Sequence, residues 1–167
     1  MKIDISDILK FDGASLDVKF EGSQEDFDIK SIDDDLIFAD PIRFDGKLVN
    51  VSGVIKLDGS LEADYTAVCY RCLKKIDRHM KLDIKEEFVD ASKDTDGEMY
   101  TYEGKYIDLG KALKDNIVLN LPMKQVCTSD CKGLCPKCGE NLNEKECSCK
   151  EEYINPQMEV LKNFFNN

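Results

Sequence analysis

The clearest pattern of apolar and polar positions runs from Val49 to Val89. Val49, Val51, Ile55 and Leu57 sit at odd positions with mostly polar residues between them. Asp58-Gly59-Ser60 reads as a turn. Leu61, Ala63, Tyr65 and Ala67 then alternate with Glu62, Asp64 and Thr66. After Cys69-Tyr70-Arg71-Cys72 the apolar set moves to even positions, Ile76, Met80, Leu82, Ile84 and Phe88, with Arg78 interrupting it. Successive side chains of an extended chain point to opposite faces, so this period of two predicts half-buried strands. Three of them joined by tight turns predict an antiparallel meander with one dry and one wet face.

A second, short hairpin is predicted for Met99 to Asp108, turning at Glu103-Gly104. Asp108 then reads as a helix N-cap. Leu109, Leu113 and Ile117 repeat on one helical face, and Pro122 stops the run. Near the end, Asn155-Pro156 supplies another helix start, and Met158, Leu161 and Phe165 form a stripe expected to pack in the core. The first 40 residues carry less pattern: a strand within Phe11 to Glu21, and a surface loop at Ser31 to Asp35. The expected class is α+β, with a curved antiparallel β-sheet or open barrel, a packed helix and a C-terminal Cys-rich zinc module. Residues 1–126 form the β-rich core carrying the first Cys-x-x-Cys, and residues 127–167 form the Cys-rich module and terminal helix.

Length and charge narrow the function. A chain of 167 residues suffices for one domain plus a small module. Its formal net charge of -11 argues against strong non-specific nucleic-acid binding, which relies on Lys and Arg displacing condensed counterions. No apolar run approaches the roughly 20 residues that span a bilayer. Asp4 falls where a signal peptide needs an apolar stretch, so the expected location is the cytoplasm.

Eight cysteines in a reducing compartment point away from disulfides and towards metal. Cys135-Pro136-Lys137-Cys138-Gly139 has the form of a zinc knuckle. Two thiolates three residues apart reach one ion from a tight turn, and the Gly allows positive φ. Cys69-Tyr70-Arg71-Cys72 has the same spacing but Leu73 in place of Gly, and would sit at a hairpin tip. Eight thiolates make two sets of four. One partition groups Cys135, Cys138, Cys147 and Cys149, leaving Cys69, Cys72, Cys127 and Cys131. The other pairs the two knuckles, Cys69/Cys72 with Cys135/Cys138. The first closes shorter loops. Arg71, Lys74, Lys75, Arg78 and Lys81 cluster beside the first knuckle, with Lys132 and Lys137 in the tail. They read either as an RNA-binding patch or as compensation for thiolate charge.

Enzymatic machinery is not legible. His79, the sole histidine, falls on a polar strand face, and there is no phosphate-binding Gly loop, nucleophile elbow or His–Glu zinc-protease motif. The competing readings are a thiol redox protein using Cys69/Cys72 and a zinc-ribbon nucleic-acid-binding module.

Four stretches resemble the bacterial YceD family, the large ribosomal RNA subunit accumulation proteins. They are Cys69-Tyr70-Arg71-Cys72-Leu73; Ile107-Asp108-Leu109 through Asn116-Ile117 to Leu121-Pro122-Met123; the run from Cys131-Lys132-Gly133-Leu134-Cys135 through Gly139, Asn141-Leu142-Asn143 and Cys147-Ser148-Cys149; and Asn155-Pro156-Gln157. Family members usually read Asp-Pro-Arg at the last position. The resemblance implies a non-enzymatic role in large-subunit rRNA accumulation and ribosome assembly. The implied partners lie in the large-subunit precursor, as rRNA or a basic ribosomal protein, with no membrane and no small-molecule substrate. An acidic chain is better suited to the basic protein than to bare RNA.

Overall fold

Ser52 and Gly53 both take left-handed backbone, with φ of 54° and 84°. A two-residue loop with positive φ at both positions matches the right-handed twist of the strands it joins. The chain therefore reverses there, and not at Asp58-Gly59-Ser60. The computed structural model describes residues 1–29, 35–94 and 97–149. In chain order the elements are β1 (Lys2–Asp4), α1 (Ser6–Leu9), β2 (Ser15–Gly22), β3 (Leu36–Phe38), β4 (Ile42–Val51), β5 (Val54–Val68), β6 (Lys75–Asp90), β7 (Tyr100–Glu103), β8 (Tyr106–Asp108) and α2 (Gly110–Asn120). The strands form one sheet in the order β1-β8-β7-β6-β5-β4-β2, with β3 on the far half of β5. The sheet curves into a half-barrel. Every pairing is antiparallel except β6 with β7, which is parallel.

The expected meander exists as β4, β5 and β6, but its first turn and first face differ from expectation. Odd parity runs unbroken from Ile55 to Ala67 because β5 is one 15-residue strand. Gly59 lies inside it, opposite Gly46 on β4 and Ile84 on β6. A Cβ at Gly59 would stand 2.7 Å from the Gly46 Cα and 2.9 Å from the Phe44 ring. This glycine permits a close approach of backbone and ring rather than a turn. The inner face of β4 carries Ile42, Phe44, Leu48 and Asn50, all buried, so the face changes at Ser52-Gly53. Val49 and Val51 consequently belong to the outer face, where Val51 is 42% exposed.

Inside the curve, Ile55, Leu57, Leu61, Ile84 and Phe88 meet Phe27, Ile29 and the apolar stripe of α2. That stripe is Leu109, Leu113 and Ile117, as expected, together with Ala112. The residue preceding α2 is Leu109, not Asp108. Asp108 ends β8, and its carboxylate still accepts the Gly110 N–H at 2.9 Å. Leu121 leaves the helix extended, with ψ of 131°, as the steric demand of Pro122 requires. The hairpin of β7 and β8 turns at Gly104-Lys105, one residue beyond expectation. The predicted N-terminal strand is β2. The first 40 residues complete the same sheet, with β1 at one edge and β2 at the other. The terminal helix and most of the Ser31–Asp35 loop lie outside the described residues.

Asn50 is the polar exception in this core. Its Nδ2 donates to the carbonyls of Ile8 at 2.8 Å and Phe11 at 3.3 Å, and its Oδ1 accepts the Gly53 N–H at 2.9 Å. It fixes both α1 and the β4–β5 turn. Asn50→Ala orphans these buried groups and is expected to cost about 2–3 kcal/mol in urea unfolding. A loss under about 0.5 kcal/mol would contradict this role.

The outer face is laced with opposite charges. Glu62 meets Lys81, Lys56 meets Glu87 and Lys19 meets Asp45, each at 2.6–2.7 Å. Arg43 meets Glu21 at 3.3 Å and Lys47 meets Asp17 at 3.3 Å. His79 is exposed here and pairs with Asp64 at 2.7 Å. Such surface pairs contribute little stability individually, but they leave this face electrically matched.

Candidate metal centres

The first knuckle closes the link between β5 and β6. The Cys69 N–H donates to the Lys74 carbonyl at 2.8 Å, and the Leu73 N–H donates to the Cys69 carbonyl at 2.9 Å. Leu73 adopts the left-handed conformation, φ 59°, at the place where the second knuckle has Gly139, φ 75°. The segment after α2 folds back onto this tip. The Tyr70 N–H donates to the Gln125 carbonyl at 2.8 Å, and the Cys127 N–H donates to the Cys69 sulfur at 3.3 Å. Two arginines hold the segment: Arg71 Nη1 donates to the Cys131 carbonyl at 2.9 Å, and Arg78 Nη2 to the Val126 carbonyl at 2.5 Å. The result brings Cys69, Cys72, Cys127 and Cys131 together, all four sulfurs within 4.8 Å of one another. Cys69, Cys72 and Cys131 are buried.

The second knuckle tips a small hairpin of its own. The Cys135 N–H donates to the Glu140 carbonyl at 2.8 Å and the Gly139 N–H to the Cys135 carbonyl at 2.9 Å, above a bridge between Leu134 and Asn141. Cys147 and Cys149 return to it, so Cys135, Cys138, Cys147 and Cys149 form a second set within the same 4.8 Å limit. Cys138 is exposed. The sulfurs are thus grouped in the shorter-loop partition, and the pairing of the two knuckles is not formed. Each group could hold a metal ion.

Asn143 connects the two centres and was not singled out by sequence reasoning. Its Oδ1 accepts the Lys132 N–H at 2.8 Å, and its Nδ2 donates to the Cys131 sulfur at 3.3 Å. Asn141 Oδ1 in turn accepts the Asn143 Nδ2 at 2.8 Å. The sequence signal is the Asn-Leu-Asn triplet, whose partners lie too far away in the chain to be read from it. Asn143→Ala removes one charge-stabilising donor. It is expected to weaken metal retention at the first centre by about tenfold in chelator competition, with the second centre unchanged.

The backbone prepares these sulfurs for a cation. Burial pushes the Cys69 thiol up, but the N–H groups of Cys72, Arg71 and Cys127 outweigh it and bring it down to about 6. The N–H groups of Cys138 and Lys137 likewise bring Cys135 to about 6. Their companions resist. The Lys74 amide lowers Cys72, but burial and the neighbouring sulfurs of Cys69, Cys127 and Cys131 raise it to about 12. The Cys138 sulfur and burial raise Cys149 to about 12. In the first centre Cys131 is lowered as well as Cys69, burial being outweighed by the Gly133 N–H and the Asn143 side chain among others, and in the second Cys147 is raised as well as Cys149. A dication bound among four such thiols would favour the thiolate form of each.

The comparisons with known proteins agree with the cysteine pattern. Residues 57–165 match the family model described as Large ribosomal RNA subunit accumulation protein YceD. The chain belongs to this family. It is 32% identical over 108 residues to an uncharacterised Mycobacterium leprae protein, covering 61% of this chain and 49% of that protein. It is 44% identical over 50 residues to the Arabidopsis thaliana chloroplastic Large ribosomal RNA subunit accumulation protein YCED homolog 1, covering 30% of this chain and 16% of that protein. The Bacillus subtilis uncharacterised protein YlbN matches more fully, 22% identical over 147 residues and 86% of each chain. The matches to the M. leprae and A. thaliana proteins thus span half of those relatives or less. No solved structure matches. The YceD match begins in β5, so it takes in both knuckles and leaves the N-terminal strands outside it.

Proposed function

We propose that this chain is a zinc-stapled, non-enzymatic factor for accumulation of large-subunit ribosomal RNA, acting by binding a component of the assembling subunit in the cytoplasm. The observation that carries the reading is the first centre. In a YceD-family chain, four sulfurs from the β5–β6 tip and the post-helical segment meet at one point. Zinc is the favoured ion, because a set of four cysteine thiolates suits it and it brings no redox chemistry. Eight sulfurs filling two sets of four leave no open ligand position of the kind a catalytic zinc keeps. Exposed His79 is not set up as a buried base. Among the described residues no helix is long and apolar enough to cross a membrane. On this reading residues 127–167 are a module appended to the core of residues 1–126, joined to it through the first centre.

The test is depletion in living cells with measurement of the ratio of large- to small-subunit ribosomal RNA. A selective fall in the large-subunit RNA is expected, restored by the parent chain but not by a chain lacking Cys69 and Cys72. An unchanged ratio under complete depletion would overturn the proposal.

A further inference from the structure

We infer that the corner formed by the first knuckle and the segment around Met123 and Lys124 is a docking surface for unpaired RNA, a step that rests on the ribosomal reading above. Leu73 is the starting point. Residues other than Gly rarely hold left-handed backbone, and where they do the surroundings normally compensate for it. Here the Leu73 side chain is 64% exposed, so packing within the chain does not. Tyr70, in the same tip, is half exposed. Met123 is 95% exposed and stands two residues from Gln125, whose carbonyl anchors the Tyr70 amide. Two large apolar side chains, Leu73 and Met123, therefore stand in solvent at one corner.

The charge there differs from that of the paired lysines on the outer face of the sheet. On the outer face of the sheet Lys19, Lys47, Lys56 and Lys81 each meet a carboxylate. Lys74, Lys75 and Lys124 form no ion pair with any described residue. Arg71 and Arg78 direct their guanidinium groups at carbonyls, which leaves their charge uncancelled. A tetrathiolate zinc with a net charge of about -2 would balance only part of this. The formal charge of -11 is an average, and Arg71, Lys74, Lys75, Arg78 and Lys124 gather at this corner.

A ligand that matches both features carries phosphates and exposed apolar faces together. RNA loops and single strands do, because their unstacked bases pack on aromatic and apolar side chains while lysines follow the backbone. A duplex offers phosphate and sugar but no base face, so the apolar tip would gain little from it.

The experiment uses the full chain loaded with zinc, titrated against an unstructured RNA of roughly 20 nucleotides and the duplex of the same length. The single strand is expected to bind about tenfold or more tighter than the duplex. Leu73→Gly should weaken binding about tenfold with an unchanged salt slope, while Tm stays level or rises because the left-handed strain is gone. The Lys74→Gln/Lys75→Gln pair should weaken binding and lower the salt slope by about 1 to 2. Lys19→Gln, on the charge-matched sheet face, should change neither. RNA binding that is absent, or untouched by these corner variants, would overturn the proposal. So would a Met123→Ser variant with a clearly lower Tm, since the surface would then be covered by the chain itself. Leu73-dependent binding to RNA-free large-subunit proteins, with none to RNA, would also overturn it while leaving the ribosomal function standing. Conversely, an unchanged rRNA ratio on depletion would remove the function and leave corner-dependent RNA binding intact.

Discussion

If each cysteine group holds one zinc ion, as proposed, a chain carrying Cys69→Ser should lose one of the two and with it the order of the whole segment from Leu121 to Leu134. Three observations set the size of the effect. Cys69 is fully buried, its sulfur receives the Cys127 N–H, and its centre ties the β5–β6 tip to residues 127–131. Structural zinc binding is folding free energy, on the order of 10 kcal/mol in small peptides, comparable with the whole stability of a domain. The expected readouts are zinc content falling from two ions to one per chain, hydrogen-exchange protection lost at residues 125–134, and Tm lowered by more than about 10 °C. Full zinc content with an unchanged melting curve would show that the centre is not a metal site. Cys138→Ser should also cost one ion but much less stability, because Cys138 is exposed and its centre closes only a local loop.

Acid should act on the same contacts in a set direction. The folded-state value for Cys69 and Cys135 is about 6, below the ordinary 9.0. A group lowered in this way contributes stability that is complete above its unfolded value and is lost as pH falls through its folded value. A bound dication lowers the folded value further. The stability of the junction is therefore expected to fall steadily as pH drops from about 9, and release of bound zinc, followed by a colorimetric chelator, to come below about pH 6.

The second large effect belongs to the sheet. Gly59→Val is expected to destabilise by about 3 kcal/mol or more, lowering Tm by roughly 10 °C. The new Cβ would stand 2.8 Å from the Asp45 carbonyl oxygen and 2.7 Å from the Gly46 Cα, both backbone atoms of the paired strand. A rotamer change cannot relieve a clash with backbone, so β4 and β5 would have to separate where the Phe44 ring closes over them. A Gly59→Val chain that melts within about 2 °C of its parent would show that the strands have room to part there.

Gly59 also marks the boundary of what the sequence makes legible. Period-two alternation located β5 and β6, and the 3.6-residue spacing of Leu109, Leu113 and Ile117 located α2. Those signals are local. Asp58-Gly59-Ser60 has the composition of a turn, and the reason it is a strand lies in Gly46, which faces it from another strand. The real turn, Ser52-Gly53, is a weaker two-residue signal, and its misplacement put Val49 and Val51 on the wrong face. The parallel pairing of β7 with β6 and the contribution of β1 to the far edge arise from contacts distant in sequence. The cysteine spacing revealed two knuckles and limited the partition to two. Which partition forms depends on where the segment after Pro122 returns, and Arg71 and Arg78 decide that by grasping its carbonyls.

The closure of the first centre has a consequence for the order of events during synthesis. Its two halves, Cys69 and Cys127, are 58 positions apart. At a synthesis rate of about 5–20 residues per second, the β5–β6 tip waits roughly 3–12 s with its thiols uncapped before the remaining ligands exist. Everything made in that interval, from β6 through α2, is then enclosed in a single loop that an ion at the first centre would seal. On the zinc reading, metal capture would be a late checkpoint of biosynthesis, and a cell short of zinc would accumulate chains whose sheet is finished but whose loop was never tied.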